Sequence, residues 1–257
     1  MFDFFARRRR ARLRAQPFPG AWLAILSRNV PLYRRLSLKL QETLRGHVQV
    51  LLAEKHFEGC GGLRLDDEIR VTIAAHAALL MLGGEPHYYP RLTSILVYPS
   101  TFLVQREERQ GPIASEGQVP LLGESWRAGV VVLAWDAALN CARGARDGAN
   151  VILHEFAHQL DTEDGRGDGT PYLEGRGQYA AWARAMGPEY ERLRAQPEGS
   201  VLGEYAATNP AEFFAVATEV FFERPEPLRL RHPEIYAELS RYYGLDPARG
   251  LPAAPSG

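Results

Sequence analysis

Cysteine is scarce in this sequence of 257 residues, which contains only Cys60 and Cys141. Small extracellular domains that depend on disulfides carry more cysteines at regular spacings, so a disulfide framework is excluded. Proteins of reducing compartments do not need such a framework. We therefore expect a cytoplasmic protein.

Long apolar runs and an excess of one charge are also missing. No stretch approaches the roughly 20 apolar residues that a membrane-spanning helix needs. The net charge is −1, whereas general polyanion binders are strongly basic. We therefore predict no direct binding of nucleic acid and no stable membrane association. A hydrophobic content of 46% is ordinary for a globular protein with a real core.

The N-terminal segment, residues 1–20, is the most unevenly charged part of the sequence. Six arginines lie between Arg7 and Arg14, after the apolar and aromatic residues that begin the chain. A secretory signal has the reverse order, with its basic residues before an apolar core of about 7–15 residues. We interpret the segment as a mobile or partly helical arm. A weak contact with a membrane surface or an acidic partner is the alternative.

Apolar periodicity predicts helices on both sides of a strand-rich region. Leucines recurring at threes and fours predict a helical stretch over 22–57, and a strongly apolar second helix over 67–82 ends at Gly83 and Gly84. His76 lies inside that second helix with no carboxylate or cysteine at ligand spacing, so we interpret it as a core histidine. Further helices are predicted over 177–195, 209–223 and 232–243.

Two segments rich in β-branched and aromatic residues predict strands. They are TSILVYPSTFLV, residues 93–104, which is broken near Pro99, and GVVVLAW, residues 129–135. Polar residues with glycine and proline over 105–125 predict a hairpin or a long surface loop. Helices, then strands, then helices make an α+β arrangement.

The stretch VILHEFAHQLD, residues 151–161, contains two histidines four residues apart. On a helix this spacing puts His154 and His158 on one face, so both can bind one tetrahedral metal, while Glu155 flanks the pair. Neutral imidazoles suit Zn²⁺, which lowers the pKa of a bound water, and a neighbouring carboxylate can accept its proton. The H-E-x-x-H motif encodes this pairing. We expect Asp147 to cap the helix.

The alternative for this stretch is an amphipathic helix that carries two histidines by accident. That alternative explains the apolar residues around the motif, because they would face the core. It leaves two histidines and a glutamate on a largely apolar helix unexplained. A metal site is therefore the better interpretation, and it requires a third ligand.

The candidates for the third ligand lie in residues 203–225, GEYAATNPAEFFAVATEVFFERP. Asn209 and Pro210 have the character of an N-cap and a first helical residue, which places Glu212 third in the helix. A capping box would explain Glu212 without a metal. The apolar residues that follow bury this helix, however, and a buried carboxylate needs a cation or hydrogen-bond donors. Glu212 is therefore our candidate ligand.

Glu219 and Glu204 are the alternative third ligands. Glu219 lies two turns after Glu212, about 10 Å along the axis at roughly 1.5 Å per residue, so the two cannot both bind one zinc. Glu204 lies in the loop that precedes this helix. We rank Glu219 before Glu204.

Two more residues near the motif have candidate roles. Tyr205 stands just before the turn into the second helix, where its phenol could donate a hydrogen bond to a developing oxyanion. Packing over the helix start is the alternative. Asp161, three residues after His158, could orient the second nitrogen of a histidine or simply be the last polar residue of its helix.

The site residues lie in two segments that closely resemble the Mlc titration factor A family, the glucose-regulated zinc metallopeptidases. The segments are GESWRAGVVVLAWDAALNCARGARDGANVILHEFAHQLD, residues 123–161, and YAATNPAEFFAVATEVFFERP, residues 205–225. The Tyr-x6-Glu element also resembles the catalytic domain of anthrax lethal factor. The resemblance implies an α+β, zincin-like metallopeptidase fold with a small mixed sheet, an active-site helix and a helical N-terminal part.

The resemblance also implies roles for the site residues. It implies that His154, His158 and Glu212 bind Zn²⁺, that Glu155 is the general base, and that Tyr205 stabilises the transition state. The expected protein is a cytoplasmic, zinc-dependent peptidase with aminopeptidase-like activity on short peptides. A further expectation is binding to a glucose-responsive transcriptional repressor.

On this basis we divide the chain into four segments. They are a mobile basic arm (1–20), a helical N-terminal part (21–89), a zincin-like catalytic domain (90–245) and a disordered tail (246–257). We expect residues 130–135 to form an edge strand that pairs with an extended substrate, an interior strand being the alternative.

The competing function is that of an interaction protein. In that role the zinc-containing domain sequesters a transcription factor and hydrolyses nothing. A structural zinc usually has four protein ligands, and no cysteine is placed to complete such a site. The open position therefore favours catalysis.

Overall fold

The computed structural model describes residues 2–107, 116–121, 123–126, 129–143 and 148–249. The helices are α1 (Phe2–Arg14), α2 (Gly20–Asn29), α3 (Leu38–Glu54), α4 (Asp67–Leu79), α5 (Trp135–Ala142), α6 (Val151–Asp161), α7 (Arg176–Ala195), α8 (Pro210–Glu223), α9 (Pro225–Arg231) and α10 (Pro233–Tyr243). The strands are β1 (His56–Gly59), β2 (Ser94–Tyr98), β3 (Phe102–Glu107), β4 (Glu116–Leu121), β5 (Gly123–Trp126) and β6 (Val130–Ala134). Short 3₁₀ helices cover Pro31–Arg35 and Glu204–Ala207. No helix within these ranges has both the length and the apolar character of a membrane span.

The main sheet is small and mixed, with the strand order β1-β2-β6-β5. Strands β1, β2 and β6 are parallel, and β5 runs antiparallel to β6. Strands β3 and β4 form a separate antiparallel pair, so of the two alternatives for residues 105–125 the pairing favours the hairpin over the long loop; residues 108–115 lie outside the described ranges. The predicted α+β fold with a small mixed sheet is confirmed.

The prediction that residues 130–135 form an edge strand is wrong. Strand β6 pairs with β2 on one side and with β5 on the other, so it is an interior strand. Its side chains from Val131 to Ala134 are all buried. A continuous apolar run is typical of a strand that is covered on both faces. The edge of the sheet beside β6 is β5, whose other side pairs with no strand in the described part of the chain.

The single helical stretch predicted over residues 22–57 is divided into three parts. Helix α2 ends at Asn29, before the 3₁₀ helix that starts at Pro31, and α3 begins after its N-cap Ser37. Val30 has φ −131° and ψ 79°, outside the helical region. Proline removes a backbone donor and disfavours helical geometry in the residue before it, which explains the break.

Strand β1 was not predicted, because its sequence, HFEG, is short and shows no apolar alternation. It belongs to the segment 21–89, yet it pairs in register with β2 from the segment 90–245. The pairing extends the main sheet by one parallel strand. The proposed division into domains remains a prediction.

The basic segment at the N-terminus is helical and packs against α3. Arg10 binds Glu54 through two nitrogens, at 3.0 Å from Nε and 2.9 Å from Nη2. The guanidinium of Arg10 also lies 4.6 Å from the centre of the Tyr88 ring, and Arg14 donates to the Tyr88 hydroxyl. These contacts fix one side of α1 to the body.

Part of the predicted C-terminal tail contacts the body as well. Tyr236 donates a hydrogen bond to Asp246, and the backbone N–H of Ala248 donates to the Tyr236 hydroxyl. Residues 250–257 lie outside the described ranges. The interpretation of 246–257 as disordered is therefore left as a prediction.

His76 is a buried core histidine, as predicted. It lies in α4, and its Nδ1 is 2.9 Å from the backbone oxygen of Thr72. Burial lowers the pKa of His76 to about 4. The ring is therefore neutral at physiological pH, so it can lie in the core without a counter-charge.

Helix α6, which contains the H-E-x-x-H motif, contacts β5, β6, α4, α5 and α8. Its buried apolar residues are Ile152, Leu153, Phe156, Ala157 and Leu160. Phe156 packs edge-to-face on Tyr89, with the ring centres 4.9 Å apart. The amphipathic character of the helix is thus real, and it holds the motif at the edge of the core.

Gly83 offers a test of how the last turn of α10 packs on the chain after α4. A Cβ added at Gly83 would lie 2.2 Å from the backbone oxygen of Tyr243 and 2.6 Å from that of Gly244. Backbone atoms cannot move aside cheaply, so we expect Gly83→Ala to lower the free energy of unfolding by about 1–3 kcal/mol. Urea unfolding measures this difference.

The matched control is Gly84→Ala. A Cβ at Gly84 meets no atom within 4 Å, so the unfolding free energy should stay close to that of the wild type. Equal destabilisation by both substitutions would contradict the close approach at Gly83.

Candidate metal centre

Three side chains from two helices converge on one point. They are His154 and His158 from α6 and Glu212 from α8, and their candidate ligand atoms all lie within 4.8 Å of one another. His154 Nε2 lies 2.9 Å from Glu212 Oε2, and His158 Nε2 lies 3.4 Å from the same oxygen. The two Nε2 atoms are 3.1 Å apart. These are the three residues that the sequence predicted as ligands.

The start of each helix positions its part of the site. Asn150 caps α6, because its side chain accepts a hydrogen bond from Leu153 N at 3.2 Å. The predicted cap, Asp147, lies outside the described residues. Asn209 caps α8 by accepting from Glu212 N at 3.0 Å, which confirms the prediction for that helix start. The cap thus fixes the backbone of Glu212.

Glu219 contacts the His154 ring on the side opposite to Glu212. Its Oε1 lies 2.7 Å from His154 Nδ1, and its Oε2 accepts a hydrogen bond from the backbone N–H of Asn150. Because Glu219 faces Nδ1 while Glu212 faces Nε2, these contacts favour Glu212 over Glu219 as the third ligand. Histidines that bind metals commonly donate their other nitrogen to a carboxylate. Glu219 therefore fits the role of a positioning residue.

The sequence held only part of the signal for this role of Glu219, because its partner on α6 cannot be read from local spacing. Glu219 follows Glu212 by seven residues, a spacing that keeps both side chains on one face of α8. The interpretation as a fallback ligand used only the axial distance between the two glutamates. A second contact joins the start of α6 to α8, because Asn150 Nδ2 donates a hydrogen bond to Glu223 Oε1 at 2.7 Å.

Glu155 and Tyr205 flank the cluster. Glu155 is only 2% exposed, and its negative charge acts on both His154 and Tyr205. Tyr205 lies in the 3₁₀ helix Glu204–Ala207, is 60% exposed, and has its ring centre 6.0 Å from that of His154. Its phenol lies near enough to the Glu212 carboxylate to feel its charge. Both residues therefore lie beside the cluster, and their catalytic roles stay predictions.

Two other sequence candidates lie outside the converging group. Asp161 accepts a hydrogen bond from Gly169 N at 2.8 Å, so its contact is with the glycine-rich loop that follows α6. Glu204 lies in the same 3₁₀ helix as Tyr205 but is exposed. Neither residue is part of the group of ligand atoms in the described chain.

Charge in the cluster favours a cation. Burial lowers the pKa of His154, but hydrogen bonds to Glu212 and Glu219 outweigh it and raise this pKa to about 10. Burial also raises the pKa of Glu212, yet hydrogen bonds from the two histidines hold it well below its usual range. Burial and the charge of Glu212 raise the pKa of Tyr205, so the phenol stays protonated at neutral pH.

The donor set fits a divalent metal. Two imidazole nitrogens and one carboxylate oxygen form the ligand set of one class of catalytic zinc site, which leaves a position for water or substrate. Among the residues described, no fourth histidine, cysteine or carboxylate joins the group. The chain thus offers a three-ligand site with one open position.

Comparison with known proteins identifies relatives of this chain. Residues 4–244 match the family model of the glucose-regulated metallo-peptidase M90. The uncharacterized protein slr2042 of Synechocystis is 42% identical over 244 residues, which cover 93% of this chain and 89% of the relative. Mlc titration factor A of Yersinia pestis is 31% identical over 87% of this chain and 84% of its own, and that of Yersinia pseudotuberculosis is equally similar.

The chain belongs to the glucose-regulated metallo-peptidase M90 family, because the family model covers nearly its whole length. Membership identifies a metallopeptidase-like protein with a zincin-like fold, and it implies a metal ion. The cluster of two histidines and one glutamate is a site where such an ion can bind.

Substitution of the two glutamates on α8 separates their roles. With Zn²⁺ as the probe metal, we expect Glu212→Ala to abolish binding at this site, because a candidate ligand is removed. We expect Glu219→Ala to keep the site but to weaken zinc binding by about 10- to 100-fold, because the His154 ring loses its partner. Zinc per chain, measured after dialysis against competing chelators, gives both values.

Glu204→Ala is the control from the same region. Its side chain is exposed and outside the group of ligand atoms, so zinc binding should be unchanged. Full loss of zinc from Glu219→Ala together with retention by Glu212→Ala would reverse the assignment.

Proposed function

We propose that this member of the family is a zinc-dependent peptidase that hydrolyses peptide bonds in short substrates, with aminopeptidase-like specificity. The supporting observation is the convergence of His154, His158 and Glu212, with Glu155 buried beside them and one position left open. A bound zinc ion would supply Lewis acidity, which polarises a carbonyl and makes a water molecule more acidic.

Glu155 is the general base in this proposal. Its carboxylate takes a proton from the attacking water and passes it to the amine nitrogen of the leaving group. Its position directly after His154 on α6 keeps it beside the ligands but on a different azimuth of the helix. The side chain of Glu155 is only 2% exposed, so few solvent molecules can contact its carboxylate in place of the attacking water. The same helix therefore supplies two ligands and the base.

Tyr205 supplies a hydrogen bond to the oxygen of the substrate carbonyl as negative charge develops there. Its raised pKa keeps the proton on the phenol at neutral pH. Its 60% exposure places it where an incoming substrate can reach it.

The substrate lies along β5 in this proposal. Strand β5 contacts α6, and one of its edges is not paired with any strand among the described residues. An extended peptide can add to such an edge through main-chain hydrogen bonds, which do not depend on the side chains of the peptide. This edge replaces β6, which is interior.

Binding to a transcriptional repressor is the second candidate function. The Yersinia relatives are named Mlc titration factor A, and the chain covers most of their length. We propose that this protein also binds a repressor of glucose metabolism. Sequestration of a transcription factor without hydrolysis is the alternative to peptidase activity.

Glu155→Gln tests the general base. The variant keeps the size of the side chain but cannot accept the proton, so we expect bound zinc to remain and kcat/KM to fall by about 10²- to 10⁴-fold. Zinc content and cleavage of a panel of short peptides are measured together. Full activity in the variant would disprove the role of Glu155.

A wild-type protein that binds zinc, hydrolyses no peptide in the panel and binds a repressor would favour the interaction role. The zinc measurement separates this result from a preparation that has simply lost its metal.

Tyr205→Phe tests the oxyanion contact. Removal of the hydroxyl should lower kcat by about tenfold or more, with zinc content unchanged, because the hydrogen bond forms mainly in the transition state. Tyr172→Phe is the matched control, since Tyr172 is 61% exposed and lies outside the cluster. If the two variants lose activity equally, the contact with Tyr205 has no special role.

A further inference from the structure

Helix α1 has an outward face whose composition is unusual for a helix in contact with water. Its exposed residues on the side away from α3 are Phe4, Phe5, Ala11 and two arginines, Arg8 and Arg12. At 100° per residue these five positions fall within one third of the helix surface. No acidic residue shares that arc. The face is therefore both aromatic and basic.

The two phenylalanines are the most unexpected part of this face. Phe4 and Phe5 are each 62% exposed, and their rings pack edge-to-face with the centres 5.9 Å apart. Isolated apolar residues on a surface are normal, but two adjacent large ones beside a basic stripe form a patch. Exposure of this patch to water is unfavourable, so a partner that covers it would stabilise the protein.

The opposite side of α1 is attached firmly to the body. Arg10 makes a two-nitrogen ion pair with Glu54, and Arg14 contacts Tyr88. Leu13 packs against the hydrophobic core. Arg8 and Arg12 make no ion pair with any described side chain. Helix α1 thus has an inner face that packs on the rest of the protein and an outer face that is exposed to solvent.

We propose that the outer face of α1 binds the surface of a membrane that contains anionic lipids. A helix that lies in the interface buries apolar side chains at the level of the headgroups while arginines contact the phosphates. Phe4 and Phe5 are the apolar anchors, and Arg8 and Arg12 bind the lipid phosphates. The contact is peripheral and reversible, because two phenylalanines bury little area.

The charge distribution favours a lipid surface over nucleic acid. The net charge of the chain is −1, whereas a nucleic-acid site usually extends over a larger basic surface. On the outer face of α1, Arg8 and Arg12 lie between Phe4 and Phe5 around the helix axis. Such a face matches a broad anionic surface into which the rings can insert.

Sedimentation with lipid vesicles tests the proposal. The full-length protein is mixed with vesicles of phosphatidylcholine alone or with added phosphatidylglycerol, at low and high salt. We expect binding only to the phosphatidylglycerol vesicles, and weaker binding at high salt because screening reduces the attraction. Arg8→Gln with Arg12→Gln should lower the binding constant by about 30-fold. Phe4→Ser with Phe5→Ser should lower it by about tenfold or more.

Two control variants match these changes elsewhere on the surface. Arg192→Gln with Arg194→Gln removes the same charge from exposed positions of α7, and Leu38→Ser removes an exposed apolar side chain from α3. Both should bind vesicles like the wild type. Circular dichroism and urea unfolding of every variant show whether the fold is retained.

Several results would overturn the proposal. They are equal binding to both kinds of vesicle, absence of binding by the wild type, and an equal effect of the α1 and the control substitutions. Tight binding of a single-stranded nucleic acid that depends on Arg8 and Arg12, without vesicle binding, would assign the face to nucleic acid instead.

Discussion

The contact of one imidazole ring with two carboxylates joins the two helices on which the site depends. His154 on α6 faces Glu212 through Nε2 and Glu219 through Nδ1, and both glutamates belong to α8. Because the ring is rigid and both of its nitrogens are occupied, α8 can slide or rotate relative to α6 only by breaking one of these contacts. The register between the helices therefore fixes the position of Glu212 relative to His158, and so the shape of the candidate metal site.

Partners in the surrounding structure offset the free-energy cost of burying the two glutamates. Carboxylates are costly to bury unless they find donors or a cation. Glu219 has two such partners, His154 and the backbone N–H of Asn150, and Glu212 has both histidines. The apolar sides of α6 and α8 pack in the core and hold these groups together. A divalent cation would balance the remaining negative charge of the cluster, in agreement with the metal that the family implies.

The group of candidate ligands could be predicted from the sequence because much of it depends on local spacing. Two histidines spaced four positions apart share one helix face, and the Asn209 cap defines where α8 starts and hence where Glu212 lies. Long-range pairing was harder to predict. The role of Glu219 depends on the contact between two helices distant in sequence, and β1 pairs with β2 without any apolar alternation of its own. The interior position of β6 depends on β5, whose four residues, GESW, contain no apolar run. Such features follow from tertiary contacts, which a local pattern does not encode.

Anomalous X-ray diffraction at the zinc absorption edge, from crystals grown with zinc, tests the central claim most directly. The account predicts one strong peak per chain in contact with Nε2 of His154, Nε2 of His158 and a carboxylate oxygen of Glu212, with Glu219 still bonded to Nδ1 of His154. A peak ligated by Glu219 in place of Glu212, or no peak between the two helices, would contradict it.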